Sequence, residues 1–207
     1  MTDILILIDV AGTAHTTVEP ELGIAHASIT ADGPQPQPVK EHVAGVLVGI
    51  RAGLEELKKA GAIERFSIQQ VRISAHRPWS ETGEQLPLVH TASVDITAHF
   101  IDFAALGRWV TSDGLTVQYI DWTLTDETRA AVERRTRQAA VRDAAVRAQD
   151  YADALDLGPV TVRTIRDPQA DPAPRMMMAK ADMAAAIEFS PEPIEISAQV
   201  NAGFAVA

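Results

Sequence analysis

The chain has 207 residues and a mass of 22.3 kDa, and its 18 basic side chains against 28 acidic ones give a formal charge of −10. No cysteine is present, which excludes disulfide bonds, thiolate nucleophiles and Cys-ligated zinc. A folded chain of this length buries roughly 70% of its unfolded surface, so its core needs no metal or disulfide for stability. The acidic balance, without a Lys/Arg cluster, argues against nucleic acid and anionic membranes as partners.

The first residues predict a buried strand rather than a targeting segment. The apolar run over residues 4–8 is short, whereas a bilayer crossing needs about 20 residues. A basic region and a cleavage site, which together mark a signal peptide, are missing from this stretch. We therefore expect a cytoplasmic protein whose first strand covers residues 4–14.

The next segments predict a second strand and an amphipathic helix. Residues 22–30 carry β-branched and small side chains typical of a strand, and Pro20 marks the turn before them. The proline-rich stretch 33–38 is a stiff, extended connector. Apolar residues then recur three or four positions apart, as on one face of a helix, and Gly61 is placed to cap the C-terminus of that helix. The face consists of Val43, Val46, Leu47, Ile50, Leu54 and Leu57.

Two strands joined by a polar segment follow. Residues 66–68 and 71–75 place their apolar side chains in opposite phases, which predicts a β-bulge at residues 69–70. Residues 88–100 alternate between apolar and polar side chains, as expected of a half-buried antiparallel strand. The polar connection over residues 76–87 is predicted to protrude.

The longest predicted helix begins at Thr125 or Asp126, either of which is a suitable N-cap, and ends near Leu157, before Gly158 and Pro159. A helix of this length measures about 45–50 Å. Its predicted inward stripe is made mostly of small side chains, which let a helix approach a sheet closely. The stripe consists of Ala140, Val141, Ala144, Ala145, Ala148, Ala152 and Leu155.

The remaining segments complete an α+β pattern. We predict a short helix over residues 103–110 and strands over 115–124, 160–166 and 194–206. We predict neither a helix nor a strand for residues 176–189. We predict one domain that spans all 207 residues. In it, an antiparallel sheet carries the amphipathic helix and the long Ala-rich helix on one face.

Four segments share a pattern in chain order. Residues 10–21 hold Val-Ala-Gly-Thr-Ala and then Val-Glu-Pro-Glu, and residues 61–66 hold a Gly-Ala-Ile that leads into a strand. Residues 133–158 form an alanine-rich helix that runs into Leu-Asp-Leu-Gly, and residues 190–204 hold Ser-Pro-Glu-Pro, an alternating strand and a final Phe. This ordered set resembles the SIMPL-domain family, named for a signalling molecule that associates with a Pelle-like kinase.

The resemblance implies an α+β fold and a tendency to self-associate, and it implies no catalytic residues. Three positions depart from the family's pattern. Gly12 lacks the usual second glycine nearby, Glu21 stands where the family has aspartate, and Glu192 stands where the family usually has glycine.

The sequence offers little support for a catalytic or metal site. Its histidines lack the H-x-x-x-H or H-x-H spacing of metal ligands, although His15 and His26 lie on strands that are predicted to pair. Asp95 and His99 share one strand face but lie roughly 13 Å apart along it, too far for a direct acid–base pair. Gly12 is not followed by the Gly-Lys-Ser/Thr of a phosphate loop. We therefore expect no enzyme activity, no cofactor and no bound metal.

The methionine cluster, Met176, Met177, Met178 and Met183, is the most unusual local feature. It is open to three interpretations. Thioethers bind Cu(I) and oxidise reversibly, which suits a soft-metal or oxidation-sensing patch. Methionine also suits a flexible apolar contact at a subunit interface, and the cluster also fits a short buried strand edge. On the long helix, arginines interleaved with acidic residues favour a solvated, ion-paired face.

The predicted function is that of a non-enzymatic, self-assembling scaffold or protein-interaction protein of the SIMPL type. We expect a homo-oligomer with an unidentified protein partner, and neither nucleic acid nor membrane as a partner. The candidate contact residues are Met176, Met177, Met178, Met183, Trp79 and Phe204. The alternative function is oxidative-stress defence or the binding of a small ligand or metal, since some bacterial relatives are described as protecting against oxidation.

Overall fold

Strands and helices account for most of the computed structural model, which describes residues 6–168 and 189–206. The combination of helices with antiparallel sheets confirms the predicted α+β class. The elements are β1 (Ile6–Val18), β2 (Leu22–Gly33), α1 (Pro36–Lys59), β3 (Ile63–Ile68), β4 (Arg72–His76), β5 (Val89–Phe100), α2 (Phe103–Trp109), β6 (Thr116–Thr123), α3 (Asp126–Ala154), β7 (Val160–Arg166) and β8 (Ile194–Val206).

The described strands form two sheets. One has the order β1-β8-β7, and the other has the order β3-β5-β2-β6, with β4 also paired to β5. The chain divides into two compact units. Unit 1 contains the described residues of Met1–Glu19, Leu124–Arg175 and Glu192–Ala207, and unit 2 contains those of Pro20–Thr123 and Met176–Pro191. The prediction of one domain stays a prediction.

This arrangement corrects two details of the sequence-based interpretation, the single sheet and the pairing of the first two strands. β2 has β5 on one side and β6 on the other, so no edge of β2 remains for β1. β1 instead pairs antiparallel with β8, from Ile6 opposite Val206 to Val18 opposite Ile194. His15 and His26 therefore lie in different sheets. Each sheet carries one long helix, α3 in unit 1 and α1 in unit 2.

In unit 1, α3 packs closely on the sheet through alanines. Ala140, Ala144, Ala148 and Ala152 are fully buried, as the predicted stripe requires. A Cβ atom on Gly12 would lie 2.6 Å from the amide nitrogen of Ala144, and closer still to the carbonyl oxygen of Ala140. The helix backbone therefore lies directly over Gly12, where only a glycine fits.

Two polar contacts also join α3 to β1. The backbone N–H of Thr13 donates to the Asp143 carboxylate at 2.8 Å. The hydroxyl of Thr136 donates to the carbonyl of Val132 at 2.9 Å, which leaves the hydroxyl of Thr16 as the donor in the 2.8 Å contact between the two threonines. Thr136 is fully buried, so these bonds satisfy a hydroxyl that would otherwise destabilise the interior.

Leu155 departs from the predicted stripe. α3 ends at Ala154, three residues before the predicted end, and the side chain of Leu155 is 66% exposed. Asp156 has a φ of 53°, in the left-handed region, so the helix does not continue through it. The buried stripe extends toward the N-terminus instead, where it includes Val132 and Thr136.

In unit 2, α1 covers one face of the sheet with larger side chains. Val43, Ile50 and Leu54 are buried, as their spacing predicts. Gly61 has a φ of 74° just beyond the helix and donates its N–H to the carbonyl of Lys58. This geometry confirms the predicted capping role of Gly61.

β3 and β4 form one interrupted strand along β5. Ile68 lies opposite Ile96, and Arg72 lies opposite Ser93. Four steps along one strand thus match three along the other, which confirms the predicted β-bulge. The elements α2, β6, β7 and β8 lie within one residue of their predicted bounds.

Candidate functional site

An arm formed by residues 71–88 extends β4 and connects it to β5. In its distal part, the backbone N–H of Ser80 donates to the carbonyl of Glu84 at 2.8 Å, and that of Leu86 donates to the carbonyl of Pro78 at 2.9 Å. Gly83 has a φ of 81° in the turn between them. The segment predicted to protrude is therefore a folded hairpin, and most of its residues are exposed.

Pairing with β5 holds the base of the arm. β4 pairs antiparallel with β5 from Arg72 opposite Ser93 to His76 opposite Val89. The guanidinium of Arg72 also donates to the carboxylate of Asp95. The arm is thus attached to the sheet by a strand pairing and by a charge-assisted hydrogen bond.

Large apolar side chains remain exposed along the arm. Trp79, next to the turn, is 68% exposed, and four aliphatic side chains are exposed as well. These are Val71, Ile73, Leu86 and Leu88. Several exposed apolar side chains on one structural feature are typical of an interaction surface. The arm is therefore the candidate contact site of unit 2.

The predicted contact residues lie in different environments. Trp79 is on the exposed arm of unit 2, whereas Phe204 is 4% exposed and packs in the core of unit 1 with Ala144 and Val200. A contact role for Phe204 would require this core to open. The contact roles of both residues stay predictions. The four candidate methionines, Met176, Met177, Met178 and Met183, lie outside the described residues.

Sequence reasoning missed the four aliphatic residues of the arm as contact candidates. Ile73 shows why, because it lies opposite the buried Ala92 and therefore resembles a core residue in a period-2 pattern. A usable signal was the composition of residues 76–88, where Trp79, Leu86 and Leu88 interrupt a stretch of polar residues, proline and glycine.

The face of the unit 2 sheet opposite α1 carries a cluster of polar side chains. His26 stacks on Tyr119 with ring centroids 4.4 Å apart, and its Nε2 atom lies 3.3 Å from the Asp121 carboxylate. Burial lowers the pKa of His99 on the neighbouring strand, and the positive charge of Arg65 adds to this effect. These side chains form an ordered, partly shielded patch that sequence periodicity did not connect.

The histidine–carboxylate pair is the chemically most notable part of this patch. A histidine beside a carboxylate can act as a base, but no nucleophile is hydrogen-bonded to His26 among the described residues. Asp95 is engaged by Arg72 rather than by a histidine. Within residues 6–168 and 189–206, no three histidine or carboxylate side chains converge closely enough to hold a metal ion.

A comparison with family models identifies the protein family of this chain. The model of SIMPL, described as a protein of unknown function (DUF541), matches residues 8–204. The chain belongs to the SIMPL family. This match confirms the resemblance, and its description names neither a reaction nor a ligand. A comparison with curated proteins finds no match.

The length and the composition of the helices in this SIMPL-family chain show whether any of them could cross a membrane. None of the helices in its described part combines the length and the apolar character that a bilayer crossing requires.

Proposed function

We propose that this SIMPL-family protein is a non-enzymatic scaffold that self-associates through its arm, with a second copy of the chain as the partner. The observation that carries this proposal is the exposure of Trp79 on a hydrogen-bonded hairpin, together with aliphatic side chains along the same arm. Tryptophan is among the residues that contribute most to binding energy at protein interfaces. A folded arm also loses less conformational entropy on binding than a flexible loop.

The charge of the arm favours a second copy. Its charged side chains are Arg72, Arg77, Glu81 and Glu84, so two positive charges balance two negative ones. The whole chain carries −10, and two copies therefore repel one another over most of their surface. Contact through the arm therefore uses a part of the chain that is locally neutral.

A concave surface near the base of the arm supports a two-fold contact. This groove of about 350 Å³ is lined mainly by apolar residues, including Ala31 on β2. Gly33, another lining residue, lies opposite His90, which in turn lies opposite Ala75 on β4. The groove and the arm therefore share one end of the sheet. In a two-fold dimer, each copy can place the tip of its arm in the groove of the other, which gives two identical contacts.

The native mass tests the proposal. Light scattering after size exclusion at low micromolar concentration should give a discrete multiple of 22.3 kDa for the parent chain. Trp79→Asp and Leu86→Asp should each shift the mass toward a single chain, because a carboxylate on the contact surface opposes its burial. Ala31→Phe, which fills the groove, should act in the same way.

Tyr151→Asp is the matched control, because Tyr151 is an exposed aromatic side chain on α3. Its mass should equal that of the parent chain. A parent chain that is a monomer, or arm variants that keep the parent mass, would refute self-association through the arm.

A deletion tests the second predicted contact region. Removal of residues 167–183, which include the methionine cluster, is expected to lower the number of subunits, calculated from the native mass and the mass of the shortened chain, if the methionines contribute to the interface. An unchanged number of subunits would remove this segment from the interface.

A further inference from the structure

A polar depression lies on the sheet of unit 1, on the face opposite α3. Ala202 and Phe204 of β8 pack against α3, so Gly203 between them faces the other way. At this point the sheet has a concave surface of about 420 Å³, lined by residues of all three strands. The polar ones are Asp9, Thr164, Arg166 and Asn201.

Gly203 makes this depression possible. A Cβ atom at this position would lie 2.6 Å from the Thr164 hydroxyl oxygen and 2.7 Å from a carboxylate oxygen of Asp9. The φ of Gly203 is outside the left-handed region, so its backbone does not require glycine. Glycine is required instead because the side chains of Asp9 and Thr164 approach this position so closely. Asp9 from β1 and Thr164 from β7 thus converge above the central strand.

Opposite charges line the depression without neutralising each other. Asp9 lies opposite Gly203 on one side of β8, and Arg166 lies opposite Asn201 on the other side. Strand spacing and rise then place the Cα atoms of Asp9 and Arg166 about 12 Å apart. In the part of the chain that the structure describes, no ion pair joins these two residues.

We propose that this depression binds a small zwitterion, with its ammonium group at Asp9 and its carboxylate at Arg166. Asn201 lies between the two charges and offers both a donor and an acceptor, and the Thr164 hydroxyl completes the ammonium end. A simple anion would meet the Asp9 carboxylate, and a simple cation would meet the Arg166 guanidinium. A ligand that carries both charges satisfies both ends, and it adds no net charge to a chain that already carries −10.

The proposal is tested on the full, ¹⁵N-labelled chain. Glycine, 4-aminobutanoate and 6-aminohexanoate, which differ in the distance between their charges, are titrated at constant ionic strength while backbone and side-chain amide shifts are recorded. At least one of them should cause saturable shifts at the Gly203 amide and the Asn201 side-chain amide. Butylamine and butanoate, each with one of the two charges, should bind at least about tenfold more weakly.

Variants identify the two charged ends. Asp9→Asn and Arg166→Gln should each weaken zwitterion binding by at least about tenfold, since each removes a charge-assisted contact. Arg163→Gln removes a charge from the same strand, but Arg163 does not line the depression, so it should bind as the parent does. Gly203→Ala should abolish binding, and the charge variants keep the test valid if Gly203→Ala does not fold.

Two results would overturn the proposal. One is the absence of saturable shifts at Gly203 and Asn201 with all three zwitterions. The other is binding that Asp9→Asn and Arg166→Gln leave unchanged, or that butylamine or butanoate reproduces with equal affinity. The depression and the arm belong to different units, so neither result bears on self-association.

Discussion

The two long helices pack on their sheets in different ways. α3 brings its backbone onto β1 through alanines and Gly12, whereas α1 contacts its sheet through larger side chains such as Val43 and Leu54. In unit 1 the backbones themselves limit the space, so added atoms are the damaging change. In unit 2 the side chains fill the space, so the removal of side-chain atoms is the damaging change.

The outward faces of the two helices also differ. α3 carries the predicted ion pairs, with Arg137 3.6 Å from Glu133 and Arg147 2.8 Å from Asp143. α1 presents a row of glycines, and a Cβ atom on any of them would meet no neighbour within 4 Å. They are Gly45, Gly49 and Gly53. Both helices expose charged side chains, but only α1 combines them with a row of glycines that leaves open space on its outward face.

The largest expected effect follows from adding atoms at Gly12. Gly12→Val should lower the free energy of unfolding by more than about 3 kcal/mol, because both the helix backbone and Ala144 lie within the volume of the new side chain. Urea denaturation measures this loss. Gly53→Val, in open space on α1, is the control and should stay close to the parent. Equal stability of the two variants would show that α3 does not lie as close to β1 as described.

Removing atoms from the α1 layer should have the next largest effect. Leu54 is fully buried, and Leu54→Ala should lower the free energy of unfolding by about 3 kcal/mol through lost burial and a residual cavity. The same denaturation experiment applies. Val48→Ala, on the exposed side of the helix, should change the stability by less than about 0.5 kcal/mol. A loss at Val48 as large as that at Leu54 would contradict the orientation of α1.

A smaller effect of opposite sign is expected on the exposed side of α1. Gly49→Ala should raise the free energy of unfolding by about 1 kcal/mol, because alanine is the better helix former and nothing lies within 4 Å of the added Cβ. The melting temperature at low protein concentration measures this gain. A destabilised variant would mean that this face packs against another surface.

The smallest expected effect concerns the other face of the unit 2 sheet. Burial lowers the pKa of His99 in the folded state, and the positive charge of Arg65 adds to this effect and outweighs the opposing contribution from Glu64. The unfolded chain therefore binds more protons near and below pH 6.5, and stability at this site falls as the pH falls. His99→Gln should reduce the loss of stability between pH 7.5 and pH 5.

A residue on the same strand that does not titrate provides the comparison for His99. Thr97→Ser, on β5, changes no titratable group and should leave the slope of stability against pH at its parent value. If His99→Gln leaves the slope of stability against pH unchanged, His99 does not contribute to the loss of stability in acid.

Element positions were predictable where one periodic signal dominated the local sequence. The spacing from Val43 to Leu57 was sufficient to predict most of α1, and the phase change after Ile68 was sufficient to predict the bulge. The prediction of an extended connector over residues 33–38 was wrong at its end, because α1 begins at Pro36, and proline is tolerated in the first turn of a helix. The end of α3 was misplaced because the end depends on Asp156 in a left-handed conformation, and aspartate gives no distinct signal for this. Of the candidate site, Trp79 was identified, whereas the exposure of Ile73 depended on where α1 lies along the sheet.

The sequence by itself determined the family, the α+β class and nearly every element, because side-chain periodicity, prolines and capping glycines are local properties. Only the tertiary structure decided that β1 pairs with β8 rather than with β2, since strand pairing depends on which edges remain free after all strands are placed. It also decided the convergence of Asp9, Thr164 and Arg166 around Gly203. These residues come from three distant segments, and no spacing along the chain encodes their distances.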